Sequence, residues 1–287
     1  SLLLTPIMRT LALRNGIVDH PDEKRKAHRK PVAYLGGVAI FLGWLAGVAI
    51  SYTLTPHNQL LLDRGYGGVD FPLYVVFGAG AIVLTGLFDD VYGISPRVKV
   101  GGQFFAAAAL ALDRVGIHLV EQMLALMENI GMPLPLPDEL TYMLGALLIV
   151  TFVIGGCNAL NLIDGLDGLA VGVAGIACLG FLLIAAFTAT NTLAGEDPSA
   201  WLMRNDGVRI VMSLAILGGL LGFLPYNFNP ASIFMGDAGS LTVGFLCITT
   251  ILLFGYTPAP ADVSAGSPIL FNGVLYVSAC LIVFGVP

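Results

Sequence analysis

The feature that most limits what this chain can become is a recurrence of apolar runs, most of them about 16 to 22 residues long, between short polar stretches. A helix needs roughly 20 residues to cross the hydrocarbon of a bilayer. The runs predict spans at 1–8 (partial), 34–54, 71–88, 101–119, 140–157, 169–190, 208–225, 241–256 and 268–287. The fold class is therefore all-α: a polytopic transmembrane helix bundle of about nine spans, in a single integral membrane domain covering 1–287. The fourth run is the weakest, because Asp113 and Arg114 interrupt it, and a re-entrant or interfacial helix is the alternative there. An opening on Ser-Leu-Leu-Leu-Thr-Pro-Ile-Met and a stop at Pro287, directly after an apolar run, read as a chain truncated at both ends.

Composition excludes an ordinary soluble domain. Only 11% of the residues are charged and 56% are hydrophobic, where soluble domains carry roughly a quarter charged. The 36 glycines suit helices that pack closely in lipid. Cys157, Cys178, Cys247 and Cys280 lie in or beside apolar runs without a C-x-x-C pair, so they read as small buried hydrophobes. No basic tract beyond one short loop would suit nucleic acid, and no such partner is expected.

Charge sets the orientation. With the first loop inside, alternation puts Arg9, Arg14, Lys24, Arg25, Lys26, Arg29, Lys30, Arg97 and Lys99 on the inner side, most of the 13 basic residues. That obeys the positive-inside rule. The motifs that carry chemistry, which played no part in setting the parity, fall on the same side.

Four motifs matter. Asp89 and Asp90 end an apolar helix, with Lys99 shortly after. Adjacent carboxylates at a membrane boundary can gather a divalent cation or accept a proton, although a solvated helix end is an alternative. Lys99 can neutralise a phosphate. In the second motif Asn158, Asn161, Asp164 and Asp167 recur every third residue between two apolar runs, interleaved with Gly165 and Gly168. If helical, they share a slowly drifting face. The third motif runs from Pro225 through Asn227 and Phe234 to Gly236-Asp237-Ala238-Gly239-Ser240. Asp237 can hold Mg²⁺ at a helix start, where backbone N–H groups favour a phosphate. Phe228 or Phe234 can stack on a base, or simply face lipid or core. The fourth is the basic loop from Asp19 to Pro31, with His28, followed by Gly36-Gly37. It captures anionic substrates or serves only to orient the chain against lipid headgroups.

Together these motifs, in this order over about residues 19–240, resemble the polyprenyl-phosphate N-acetylhexosamine-1-phosphate transferase family. The segments His28–Gly37 and Gly93–Lys99 resemble its UDP-GlcNAc branch. The Thr-rich stretch usual before Gly-Gly in phospho-MurNAc-pentapeptide translocases is missing. The resemblance implies transfer of GlcNAc-1-phosphate from UDP-GlcNAc to undecaprenyl phosphate, with release of UMP and a need for Mg²⁺ or Mn²⁺. It also implies a dimer in a bacterial plasma membrane, with the site on the cytoplasmic face. The family's last large cytoplasmic loop carries a His-rich motif, and this chain ends where that loop should begin.

The roles that follow give the metal to Asp237 and the Asn161 carbonyl. Asp89 and Asp90 orient the polyprenyl phosphate and take its proton. Asp164, Asp167 and Asn158 bind uridine or the diphosphate, Asn227 contributes to substrate binding, and Lys99 and His28 contact phosphates. A covalent phospho-aspartyl route is the mechanistic alternative. A flippase or transporter with a carboxylate relay is the alternative of a different class, but relay carboxylates belong in mid-helix, and these sit at helix ends.

Overall fold

The computed structural model describes residues 1–19, 31–54, 73–192 and 205–254. Within them the chain forms α1 (Leu4–Asn15), β1 (Val18–Asp19), β2 (Val32–Ala33), α2 (Gly36–Leu54), α3 (Leu73–Tyr92), α4 (Pro96–Leu112), α5 (Ile117–Asn129), α6 (Asp138–Ile163), α7 (Leu169–Thr192), α8 (Asn205–Asn227) and α9 (Gly236–Phe254). The two strands pair antiparallel, Val18 with Ala33 and Asp19 with Val32.

Helix ends follow local chemistry. Gly16 closes α1 in the left-handed conformation that glycine tolerates. Pro96 opens α4, where its missing N–H costs nothing. Asp138 and Glu139 occupy the first turn of α6, against the positive end of its dipole.

Six helices among the described residues (α2, α3, α6, α7, α8 and α9) are long and apolar enough to cross a membrane. The expected fourth span is two helices, α4 and α5, bent by 64°. Taken as one broken span they make a seventh. The break falls at the polar interruption, with Arg114 and Gly116 both at positive φ. The partial span expected at 1–8 forms α1, whose 12 residues fall short of a crossing. The span expected at 268–287 lies outside the described residues. Large apolar side chains such as Phe77, Phe105, Leu147 and Ile176 point outward, as a lipid-facing surface requires. The protein is a multi-pass membrane protein.

Helix α9 is the axis of the bundle. Of its spanning residues 89% are buried, against 33–50% for the other five, because α2, α3, α6, α7 and α8 all pack on it. The approach is closest at Gly37, where an added Cβ would lie 2.1 Å from the backbone nitrogen of Gly239. Only a hydrogen fits there, so α2 meets α9 backbone to backbone. Antiparallel succession then brings the C-terminal ends of α3, α6 and α8 together with the N-terminal ends of α4, α7 and α9.

Candidate active site

Asp89 and Asp90 occupy the last turn of α3, and Gly93 closes that helix with an N–H to the Asp89 carbonyl. Their carboxylates do different things. Asp90 turns inward and accepts the N–H groups of Asp237 (2.8 Å) and Ala238 (3.0 Å). It caps α9 from another helix, a charge-assisted use of otherwise unpaired donors. Gly236 makes room for this: it sits at φ +68°, and a Cβ there would come within 2.6 Å of an Asp90 oxygen.

Asp89 accepts the Ile94 N–H through one oxygen (3.0 Å) and the Lys99 ammonium through the other (2.8 Å). Lys99 also contacts Asp237 directly. On its other side, Asp237 accepts the amide N–H of Asn161 (2.6 Å), which also donates to Ser240 Oγ (2.9 Å). One cation thus sits between two carboxylates from α3 and α9, with all three side chains about four-fifths buried.

Asn158 and Asn161 lie on α6, which runs well past its apolar stretch. Asn161 turns its amide nitrogen to Asp237, where a carbonyl contact to a metal had been expected, so such a contact requires the amide to rotate. Asn158 donates to Gln103 of α4 (3.0 Å) and to the Ile154 carbonyl (2.7 Å), an attachment between helices. Asp164 caps α6 and is partly buried. Its carboxylate makes no hydrogen bond or ion pair among the described residues. Burial, reinforced by the nearby Asp237 and Asp90 carboxylates, pushes its pKa up to about 7.

Two expected substrate contacts tie loops together. Asp167 accepts the Asn229 side-chain amide (3.0 Å) and the Ala231 N–H (2.9 Å). Asn227, only 3% exposed, accepts the Gly168 N–H (3.1 Å) and donates to the Ile233 carbonyl (3.1 Å). Its amide is engaged on both sides, so it holds the loop ahead of α7 against the loop ahead of α9. His28 lies outside the described residues. Phe228 is exposed, and Phe234 leans on Tyr34 with ring centres 6.2 Å apart.

The model of glycosyl transferase family 4 matches residues 72–255. The chain belongs to that family. It is 34% identical over 274 residues to the "Probable undecaprenyl-phosphate N-acetylglucosaminyl 1-phosphate transferase" of Bacillus subtilis, covering 95% of this chain and 65% of that one. It is 33% identical over 246 residues to the "Decaprenyl-phosphate N-acetylglucosaminephosphotransferase" of Mycolicibacterium smegmatis, covering 83% and 53%. It is 32% identical over 262 residues to the "Phospho-N-acetylmuramoyl-pentapeptide-transferase" of a Mycobacterium species (strain KMS), covering 85% and 70%. The chain thus spans 65% and 53% of the length of the first two relatives.

In this family 4 chain several residues to which the sequence motifs give no role support the site. Gln103 and Ser240 orient the two asparagines. Arg9 of α1 donates to the Ser232 carbonyl (3.1 Å). Backbone bonds from Phe234 N–H to Ala33 and from Gly37 N–H to Met235 fasten the loop ahead of α9 to the start of α2. The only hint of this in the sequence is the Gly36-Gly37 pair that follows the basic loop.

The donor chemistry accommodates a hard cation. Among the described residues no three His, Cys, Asp or Glu side chains form a ready metal cage. The Asp89 and Asp237 oxygens nonetheless converge on one positive charge, the Lys99 ammonium. A position that already attracts a cation between two carboxylates fits Mg²⁺ or Mn²⁺, which take oxygen ligands and keep several waters.

Proposed function

We propose that the protein transfers N-acetylglucosamine-1-phosphate from UDP-GlcNAc to undecaprenyl phosphate, giving undecaprenyl-diphospho-GlcNAc and UMP, at the cytoplasmic face of a bacterial plasma membrane. The names of the two relatives called prenyl-phosphate N-acetylglucosamine-phosphate transferases support the sugar and the lipid. The inner-side concentration of Lys and Arg supports the face. One observation carries the chemistry: Asp89 and Asp237 gather on a single cation at the end of membrane-spanning helices, beside a carboxylate, Asp164, whose side chain has no partner among the described residues. A soluble nucleotide sugar and a lipid phosphate can meet only at such a boundary.

Asp89 and Asp237 would hold Mg²⁺ or Mn²⁺, with Asn161 as a third oxygen donor once its amide rotates. The metal, when bound, supplies charge neutralisation for the diphosphate. The chain's own residues do the rest. Lys99 offers its ammonium to a phosphate oxygen. Asp164 accepts a proton from the lipid phosphate if it arrives protonated, a role first assigned to Asp89 and Asp90. Those two carboxylates are already engaged with Lys99 and with the α9 cap. Asp167 and Asn227 keep the surrounding loops in register.

The test is a radiolabel assay on membranes holding the full-length protein, with UDP-GlcNAc, undecaprenyl phosphate and Mg²⁺. We expect labelled lipid and released UMP, with no lipid product when a chelator is present. Turnover of UDP-MurNAc-pentapeptide alone would overturn the sugar assignment. Absence of any lipid product from either nucleotide sugar would overturn the transferase reading.

A further inference from the structure

We propose that Lys99 is a resident counter-cation that a divalent metal must displace, and that this displacement delivers the ammonium to the substrate phosphate. The inference rests on the metal reading above and concerns the order in which the site is loaded.

Lys99 sits in the first turn of α4, on a flexible four-carbon stem. Its ammonium bonds the two carboxylates to which the metal is assigned, Asp89 from α3 and Asp237 from α9. A hard divalent ion needs those same oxygens at about 2.1 Å. An ammonium and a divalent ion sharing two carboxylates would stand within a few ångströms of each other, and their repulsion in a four-fifths buried site is severe. Both cannot stay.

The rest of the site is arranged for exchange. The other Asp89 oxygen is held by the Ile94 N–H, so that carboxylate stays in place when the ammonium leaves, while Asn161, on the other Asp237 oxygen, is free to turn its amide as the metal arrives. Asp90 is capped by α9 and does not offer Lys99 a replacement. Asp164, the remaining carboxylate nearby, is assigned to the proton of the lipid phosphate, so the displaced ammonium is placed on the phosphate that this site is proposed to receive. Lys99 thus keeps two facing carboxylates neutral before loading, and after loading it becomes a phosphate contact.

The experiment measures Mn²⁺ binding to the full-length protein in detergent, without nucleotide, by the loss of the free-ion EPR signal. We expect Lys99→Met to bind Mn²⁺ on the order of tenfold more tightly than wild type, and Lys99→Arg to bind no more tightly than wild type. A second measurement uses wild type alone: acylation of Lys99 by an amine-reactive reagent, read by mass spectrometry, should rise several-fold when Mn²⁺ is added. Equal or weaker Mn²⁺ binding by a folded Lys99→Met would overturn the inference and leave the metal reading standing. If Lys99→Met does not fold, unchanged acylation of wild-type Lys99 on adding Mn²⁺ overturns it. Absence of saturable Mn²⁺ binding in wild type and variant alike overturns the metal reading and this inference with it.

Discussion

At one end of the bundle Lys99 joins Asp89, on the preceding helix, to Asp237, 138 residues further on. At the other end Arg114 and His118 share Glu121, all within seven residues (2.7 and 2.6 Å). The first cluster is about 20% exposed, whereas Arg114 is 52% exposed. Solvent screens the second group, and an exposed pair of this kind contributes about 0–1 kcal/mol. The first group is assembled from three helices, and breaking it leaves a charge without a partner. A cavity of about 550 Å³ also opens at the far end, beside Arg114, Glu121, Pro133 and Asp138. Its size alone does not make it the reaction site, because its ion pair is exposed and is made within one short stretch of chain. Long-range convergence, more than polarity or volume, distinguishes the end that we assign to catalysis.

The widest separation between the two ends should appear in turnover. Asp237→Asn should cut lipid product formation by ~10²–10³-fold, the usual loss when a catalytic electrostatic contact is removed. Glu121→Gln should stay within about twofold in the same radiolabel assay. Equal losses would erase the distinction between the ends.

A wedge should separate them in stability. Gly37→Ala forces a methyl group against the α9 backbone beside the site, and should cost about 1–3 kcal/mol. Thermal unfolding in detergent, followed by loss of the monodisperse gel-filtration peak, checks this.

Removing Asp164's charge should have the opposite sign. Its folded pKa, about 7, lies above the ordinary carboxylate value of 3.8. The wild-type fold is therefore penalised above pH 7, and the penalty fades as pH falls through 7 toward 3.8. With divalent ions chelated, Asp164→Asn should melt higher than wild type at pH 8 by ~2–3 °C, about 1 kcal/mol. The gain should shrink by pH 5, while activity falls. A gain that grows toward acid pH would show that Asp164 is stabilised as the carboxylate. The smallest effect belongs to the far end: Arg114→Gln should shift stability by no more than about 0.5 kcal/mol at moderate salt.

The spans were legible because long apolar runs have few alternatives in water or lipid. The break in the fourth was legible in Asp113 and Arg114. Residue type also exposed the chemistry of the site, since carboxylates and asparagines are costly between membrane helices. The division of labour among them stayed hidden. Asp89 and Asp90 are neighbours in sequence, yet one faces Lys99 and the other caps a helix 147 residues away. Asn158 and Asn161 share a helix and a spacing, yet one is tied to Gln103 and the other to Asp237. Such pairings depend on which helices pack together, and a single sequence carries no periodicity that encodes them. For Asn227, likewise, polarity was visible, while burial and the Gly168 partner were not.

The central place of α9 has a consequence for how the protein is made. The ribosome delivers α2, α3, α6, α7 and α8 before it delivers the helix they surround. During that interval Asp90 has no helix to cap, and Lys99 has only one of its two carboxylates. The early helices must associate loosely enough to admit a late arrival, then close on it with contacts that tolerate only glycine at Gly37. Insertion of α9 is thus the step that converts a set of spans into a site. A ribosome stalled before residue 236 would hold a membrane-inserted chain bearing nearly every chemical group of the site and none of its geometry.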